Sequence, residues 1–270
     1  MAGISSRQVL SACMMPVSIF FAAFWLLPIA LLVTLPAKQG WETYFVILTD
    51  ARYARSLVNT LLLSIGVTML TLTLGLAVGL YLAKPHVVAR RMLLSLLTLP
   101  LSFPGVVVGF FIILLGGRQG ALADFFEWLG FGRITFAYGL TGLFLAYLYF
   151  SLPRVIASYT AAAQAMDRSV EEAARSLGAN RFQLLRDVWL PQLTPTTAAC
   201  AAIVFATAMG AFGTAFTLAS KFEVLPITIY SEFTNYANFP LAASLSITLG
   251  LVTWLALFLA RRWTGVGVSL

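Results

Sequence analysis

Apolar residues fall in six blocks along this chain, at about 13–35, 57–83, 92–115, 134–152, 196–219 and 241–260, and none contains a charged residue. Each approaches or exceeds the roughly 20 residues that an α-helix needs to cross a hydrocarbon core of about 30 Å. The pattern predicts an all-α membrane protein with six transmembrane helices. Block one follows Arg7 as a signal peptide would, but its apolar run is longer than the 7–15 residues of such a segment, so it is expected to stay as a span. Pro100 and Pro104 break the third block, which is then either bent to line a pathway or kinked for packing alone.

Composition agrees: 60% of the 270 residues are hydrophobic and only 10% are charged, against about 25% charged in a soluble domain. Mean hydropathy is +0.91. A net charge of +7 would in a soluble protein suggest nucleic acid, but the basic residues are scattered or paired, as in Arg90-Arg91 and Arg261-Arg262, and form no run. Cys13 and Cys200 both sit in apolar blocks, where packing is the expected role.

Six spans put both termini on one side, and the excess of Lys and Arg assigns that side to the cytoplasm. With cytoplasmic termini, eleven of the 17 basic residues and four acids lie inside, while six of each lie outside, so the whole net charge is cytoplasmic. Charges fall only in loops and at span ends, which leaves no proton relay or ion path within the spans. The energy for any transport must come from elsewhere.

The stretch 153–195 is a polar island with helical signals throughout. Asp167 or Ser169 can cap a helix that carries Glu171 and Glu172 in its first turn, where the macrodipole favours acids. Gly178 suits a left-handed C-cap, Asn180 can cap a second short helix, and Pro191 is expected to end or redirect it. On that second helix Phe182, Leu185 and Trp189 are expected to face the membrane or the bundle. An amphipathic helix resting on the inner leaflet is the plainer alternative.

Spacing decides between them. From Glu172 the chain reads Glu172-Ala173-Ala174, three residues, Gly178, nine residues, Val188, one residue, Leu190-Pro191. This resembles the E-A-A-x3-G-x9-I-x-L-P motif of type I ABC importer permeases, with valine for isoleucine. The resemblance covers about 56–262, starting at Ser56-Leu57-Val58-Asn59-Thr60. It implies an N-terminal tail, extra first span and outer loop over 1–55, a permease core of five spans over 56–262 with the coupling loop at 153–195, and a C-terminal tail at 263–270. It further implies that Asp167, Glu171, Glu172, Ala173, Ala174 and Gly178, with Val188, Leu190 and Pro191 behind them, form a coupling helix that docks on a separate ATPase.

None of the three lysines, Lys38, Lys84 and Lys221, stands in a phosphate-binding loop. ATP and Mg are therefore assigned to the partner ATPase, and no cofactor to this chain. The resemblance implies two ATPase subunits, a second permease subunit, identical or related, and an extracytoplasmic solute-binding protein, in the bacterial inner membrane.

Substrate class follows only from overall likeness: the proline-rich third span, Gly210-Ala211-Phe212-Gly213-Thr214 and Leu225-Pro226-Ile227-Thr228-Ile229-Tyr230 look most like importers of polyamines, with aminoethylphosphonate, opines, iron and thiamine as alternatives. Asn59, Tyr147, Tyr149, Thr214 and Thr217 are the candidate path residues. Asp124, Glu223 and Glu232 lie in or near outer loops, suited to docking the binding protein or attracting a cation. The lone histidine, His86, lies in a short loop, which leaves an intramembrane enzyme no histidine dyad or metal site within its spans. An uncoupled channel is the other rival.

Overall fold

The computed structural model describes the backbone of residues 6–219 and 222–264; Lys221 and the ends of both expected tails lie outside the described residues. No strand occurs among them. The first described element is α1 (Ser6–Phe21), which passes through a π-helical stretch, Ala22–Leu26, into α2 (Leu27–Thr34). Two 3-10 turns and α3 (Val46–Thr49) lead to α4 (Ala51–Leu82), then α5 (Arg90–Thr98), α6 (Gly105–Gly116), α7 (Ala121–Trp128) and α8 (Leu140–Ala165). After α9 (Arg168–Ser176) come α10 (Arg181–Gln183), a π-helical stretch Leu184–Trp189, α11 (Leu190–Met209), α12 (Gly213–Leu218), α13 (Leu225–Thr234) and α14 (Phe239–Thr264). Among the described residues, six stretches are long and apolar enough to cross a membrane: Met14–Gln39, Ala51–Leu82, Gly105–Trp128, Leu140–Ala165, Arg181–Met209 and Phe239–Ala260.

Three spans differ from the sequence expectation. The block expected at 92–115 is cut in two. Phe103, forced out of the helical region by the proline that follows it, is extended at φ −95°, ψ 135°, and α6 starts afresh behind Pro104. The fourth span does not stop at 152: α8 runs through Pro153 to Ala165. The fifth begins at Arg181 rather than 196 and ends at Met209 rather than 219. Pro191 neither ends nor redirects it. A proline needs slack in the ladder one turn before it, and the π-helical stretch Leu184–Trp189 supplies that slack, with Leu190 N–H reaching back to Leu185 O. The polar island is therefore much shorter than 153–195, because both of its ends are helical extensions of spans.

Contacts group the chain into two compact units, 1–54 with 229–250 and 55–228 with 251–270. In the first, Gln39 Nε2 donates to Asn238 Oδ1 at 3.0 Å and Ser244 Oγ to Thr43 O at 2.6 Å. Tyr53 donates to Glu232 Oε1 at 3.0 Å, and Arg52 Nη1 lies 4.0 Å from the same oxygen. Glu232 is only 4% exposed, so the expectation that it serves as a surface carboxylate for a binding protein or a cation is wrong; a buried acid must be paired, and this one is.

The second unit packs around Val67, Val108, Leu143, Val204 and Leu218, all buried. Two glycine pairs at i, i+4 bring helices close, the spacing that lets backbones approach in a membrane. A Cβ on Gly75 would lie 2.6 Å from Val155 Cγ1, and one on Gly79 2.6 Å from Tyr159 Cβ, so α4 lies directly on α8. On α6, a Cβ at Gly105 would lie 2.9 Å from Thr214 Oγ1 and one at Gly109 1.7 Å from Thr217 Oγ1, which sets α6 equally close to α12.

Candidate functional site

The residues of the motif form a braced turn. Asp167, not Ser169, is the N-cap of α9: its Oδ1 accepts from the Ser169 amide at 2.9 Å. Hydrogen bonding from Ser169 holds the Asp167 carboxyl below the usual carboxylate range. At the far end Gly178 takes φ +85°, and the Ala179 and Gly178 amides return to Ala174 O at 3.1 Å and Arg175 O at 2.9 Å. These two bonds are a Schellman cap. Asn180 then opens the next helix with a reciprocal box: its Oδ1 accepts from the Gln183 amide at 2.9 Å while its own amide donates to Gln183 Oε1 at 2.8 Å.

Within the turn the two acids part company. Glu171 faces inward, taking Arg175 Nη2 at 2.7 Å and Trp189 Nε1 at 3.2 Å, and so ties α9 to the helix that follows. Glu172 and Ala173 are exposed and Ala174 half-buried. Val188 is buried beneath the turn, whereas Leu190 and Pro191 are exposed. One residue was missed by sequence reasoning: Leu177, 90% exposed at the tip beside Gly178. An apolar residue on the polar face of an otherwise amphipathic segment is the signal that would have found Leu177. A cleft of about 770 Å³ beneath the turn is lined by Lys84, His86, Asp167, Glu171, Arg181 and Trp189, among others.

A second cleft, of about 550 Å³, opens where two helices are broken. One wall is the start of α6 at Pro104, Gly105 and Val106; another is the non-helical link 210–212 between α11 and α12; α8 contributes Tyr147, Phe150 and Ser151. Among the described residues no charged side chain lines it. Irregular backbone at membrane depth is tolerated where it is buried in protein or lines a cavity, and Tyr147 meets part of the demand by donating to Ala211 O at 2.8 Å. Of the five path candidates, this cleft gathers Tyr147 and Thr214. Thr217 sits in the α6–α12 contact with its hydroxyl on Thr214 O, Asn59 donates to Glu223 O at 3.0 Å, and Tyr149 is 38% exposed away from the cleft.

Six membrane-length helices, a capped turn between the fourth and fifth, and a cleft at broken helices define an ABC importer permease fold. The fold aligns over 97% of this chain and 96% of the other, with a TM-score of 0.84 and 19% identity, to a chain of a bacterial ABC transporter involved in the import of the acidic polysaccharide alginate. It aligns over 78% of this chain and 94% of the other, with a TM-score of 0.61, to one of the MetNI methionine ABC transporter in an inward-facing conformation. The chain belongs to the family of binding-protein-dependent transport system inner membrane components, whose profile matches residues 72–266. It is thus a multi-pass inner-membrane transport subunit rather than an enzyme. The Escherichia coli K12 sulfate transport system permease protein CysT is 27% identical over 265 residues, 96% of this chain and 94% of that protein. The molybdenum transport system permease protein ModB of the same strain is 30% identical over 195 residues, 69% and 82% of the two. These relatives are named for sulfate and molybdenum, and the likeness to polyamine importers expected from the sequence finds no support among them.

Proposed function

We propose that this chain is the permease subunit of an importer for a small tetrahedral oxyanion, driven by a separate ATPase that docks on the α9 turn. The observation that carries the coupling role is the turn itself. It is fixed from within by two caps and the Glu171 tether, yet it turns Glu172, Ala173 and Leu177 outward. A rigid knob with an apolar tip and a flanking acid suits a cleft on another protein, and a stiff frame passes on displacement rather than absorbing it.

The excess of Lys and Arg on the α9 side supports a cytoplasmic position for that side and for both termini. The complex then holds two permeases, this chain with a copy or a relative, and two ATPases that use ATP and Mg. An extracytoplasmic binding protein delivers the cargo. ATP closure of the ATPases draws the α9 turns together and opens the pathway outward; hydrolysis resets it.

The oxyanion reading is supported by the names of the relatives and by chemistry. A polyamine would need carboxylates along its route, and the cleft at the helix breaks has none, only hydroxyls and backbone amides that donate to an anion. The test is calorimetry on the solute-binding protein that delivers to this chain, with sulfate, molybdate, aminoethylphosphonate and putrescine in turn. Micromolar or tighter binding of one of the oxyanions is expected, and aminoethylphosphonate would narrow the class to phosphonates. Tight binding of putrescine with no response to the anions would overturn the reading.

A further inference from the structure

We infer that the cleft between α6, α8 and the 210–212 link is a cargo-binding station within the permease itself. There the hydroxyls of Ser151 and Thr214 and the first amides of α6 take a partly dehydrated oxyanion. This inference rests on the oxyanion reading of the cargo.

A serine or threonine inside a membrane helix ordinarily returns its proton to the carbonyl one turn back. Thr60, Thr68, Ser158, Thr160, Thr197 and Thr207 all do so here. Ser151 and Thr214 do not. Both are about 95% buried, at 6% and 5% exposure, both line the cleft, and neither hydroxyl has a protein partner among the described residues. Opening into the cleft rather than onto a carbonyl, these two donors are available to whatever enters. Ser64 and Thr71 on α4 are also unpartnered, but their oxygens are sealed and line neither of the two clefts.

The backbone adds to this. Helix α6 has twelve residues, and its first amides, on Gly105 and Val106, have no carbonyl one turn before them, because Pro104 is its N-cap. They carry the positive end of the helix dipole, and half-helix N-termini of this kind face anionic groups in transporters. Gly105 brings them to Thr214: a side chain there would put its Cβ 2.9 Å from Thr214 Oγ1 and 3.3 Å from Thr214 N. Tyr147 is a positioning residue. Its proton is committed to Ala211 O, so it fixes the shape of the 210–212 link without donating to the cargo.

The volume and the neutrality fit a transient station. About 550 Å³ is many times the roughly 30 Å³ that a water occupies in the liquid, so an oxyanion enters with part of its shell. With no cation in the lining, the site holds an anion through neutral donors alone. Passage requires that binding be favourable enough to enter and weak enough to leave, and a lysine or arginine here would retain the cargo.

The experiment uses the complete complex of this chain with its ATPase, its partner permease and its binding protein in proteoliposomes. Uptake of radiolabelled sulfate is measured alongside the ATPase rate that the loaded binding protein stimulates. The double variant Ser151→Ala, Thr214→Val is expected to lose at least tenfold in uptake while the stimulated ATPase rate stays within twofold of wild type. Thr214→Ser, which keeps the hydroxyl, should import within twofold. Ser151→Ala alone should lose about threefold and decides the matter if the double variant fails to assemble. Uptake by the double variant equal to wild type overturns the station and leaves the oxyanion reading intact. A wild-type complex that takes up none of sulfate, molybdate and aminoethylphosphonate, each supplied in labelled form, removes the reading and the station together.

Discussion

The α9 turn and the cleft at the helix breaks belong to the same compact unit and are built from opposite materials. The turn is polar and exposed, and its shape is held by side-chain caps and an ion pair. The cleft is lined without charge, and its shape is held by glycines, prolines and interrupted backbone. An element that must engage a protein in water gains from charge and a protruding Leu177, because its partner can be recognised by both. An element that must release a small ion gains from weak neutral donors on a precast backbone. On the proposed reading, coupling and passage ask for different chemistry, and one unit supplies each at a separate place.

The comparison breaks most completely if the cleft wall does not depend on close approach of backbones. Gly109→Val should show this. Its new Cβ would stand 1.7 Å from Thr217 Oγ1 and 2.8 Å from Thr217 Cβ, with α6 and α12 leaving little room to yield. Overpacking of this kind costs about 3 kcal/mol. We expect a fall of many degrees in the thermal midpoint of the detergent-solubilised complex and little assembled permease. The milder pair Gly109→Ala with Thr217→Gly should recover most of the loss. A Gly109→Val protein as stable as wild type would mean that the α6–α12 contact is not tight.

The turn is tested by strain without collision. Gly178 sits at φ +85°, and nothing lies within 4 Å of where a Cβ would be. Gly178→Val therefore adds no clash, only the left-handed penalty of about 1–2 kcal/mol for a side chain that resists that region. The cap is expected to open, the tip to lose its shape, and uptake to fall about tenfold while the ATPase still turns over and the chain still inserts. Gly178→Asn, which tolerates the left-handed region, should keep most of the uptake. Unchanged uptake in Gly178→Val would dismiss the coupling role.

Legibility in the sequence divided along the same line. The turn was readable because polar residues stand out against a hydrophobic chain, and because caps at Asp167, Gly178 and Asn180 act on neighbours in sequence. Six spans were readable from apolar length alone. Their ends were not. Whether Pro153 or Pro191 stops a helix depends on a π-helical stretch and on tertiary packing that freed carbonyls can use, neither of which is local. Thr214 was one of five path candidates, with nothing local to rank it above Thr217. What sets it apart is a missing hydrogen bond and the proximity of Gly105, and a sequence records neither. Glu232 was misplaced for the same reason, since its partner Tyr53 lies far away in sequence.

The smallest effect concerns how much of the turn's stiffness its N-cap provides. Asp167→Ala leaves the α9 amides without their acceptor, which costs about 1 kcal/mol. Glu171, still held by Arg175 and Trp189, keeps the helix from detaching. Uptake should therefore drop only a few-fold, and Asp167→Ser or Asp167→Asn, both able to cap, should restore it. The sign of any pH effect follows from the lowered carboxyl. A group whose pKa falls on folding adds stability at pH values above its unfolded value, about 3.9 for Asp, and loses that contribution only as pH falls through the still lower folded value. Between pH 5 and 8 the cap stays charged, so the uptake profiles of wild type and Asp167→Asn should run parallel across that range. If Asp167→Ala imports at the wild-type rate, the Glu171 tether and the Gly178 cap suffice to hold the turn, and the force path runs through the C-terminal end of α9 rather than its start.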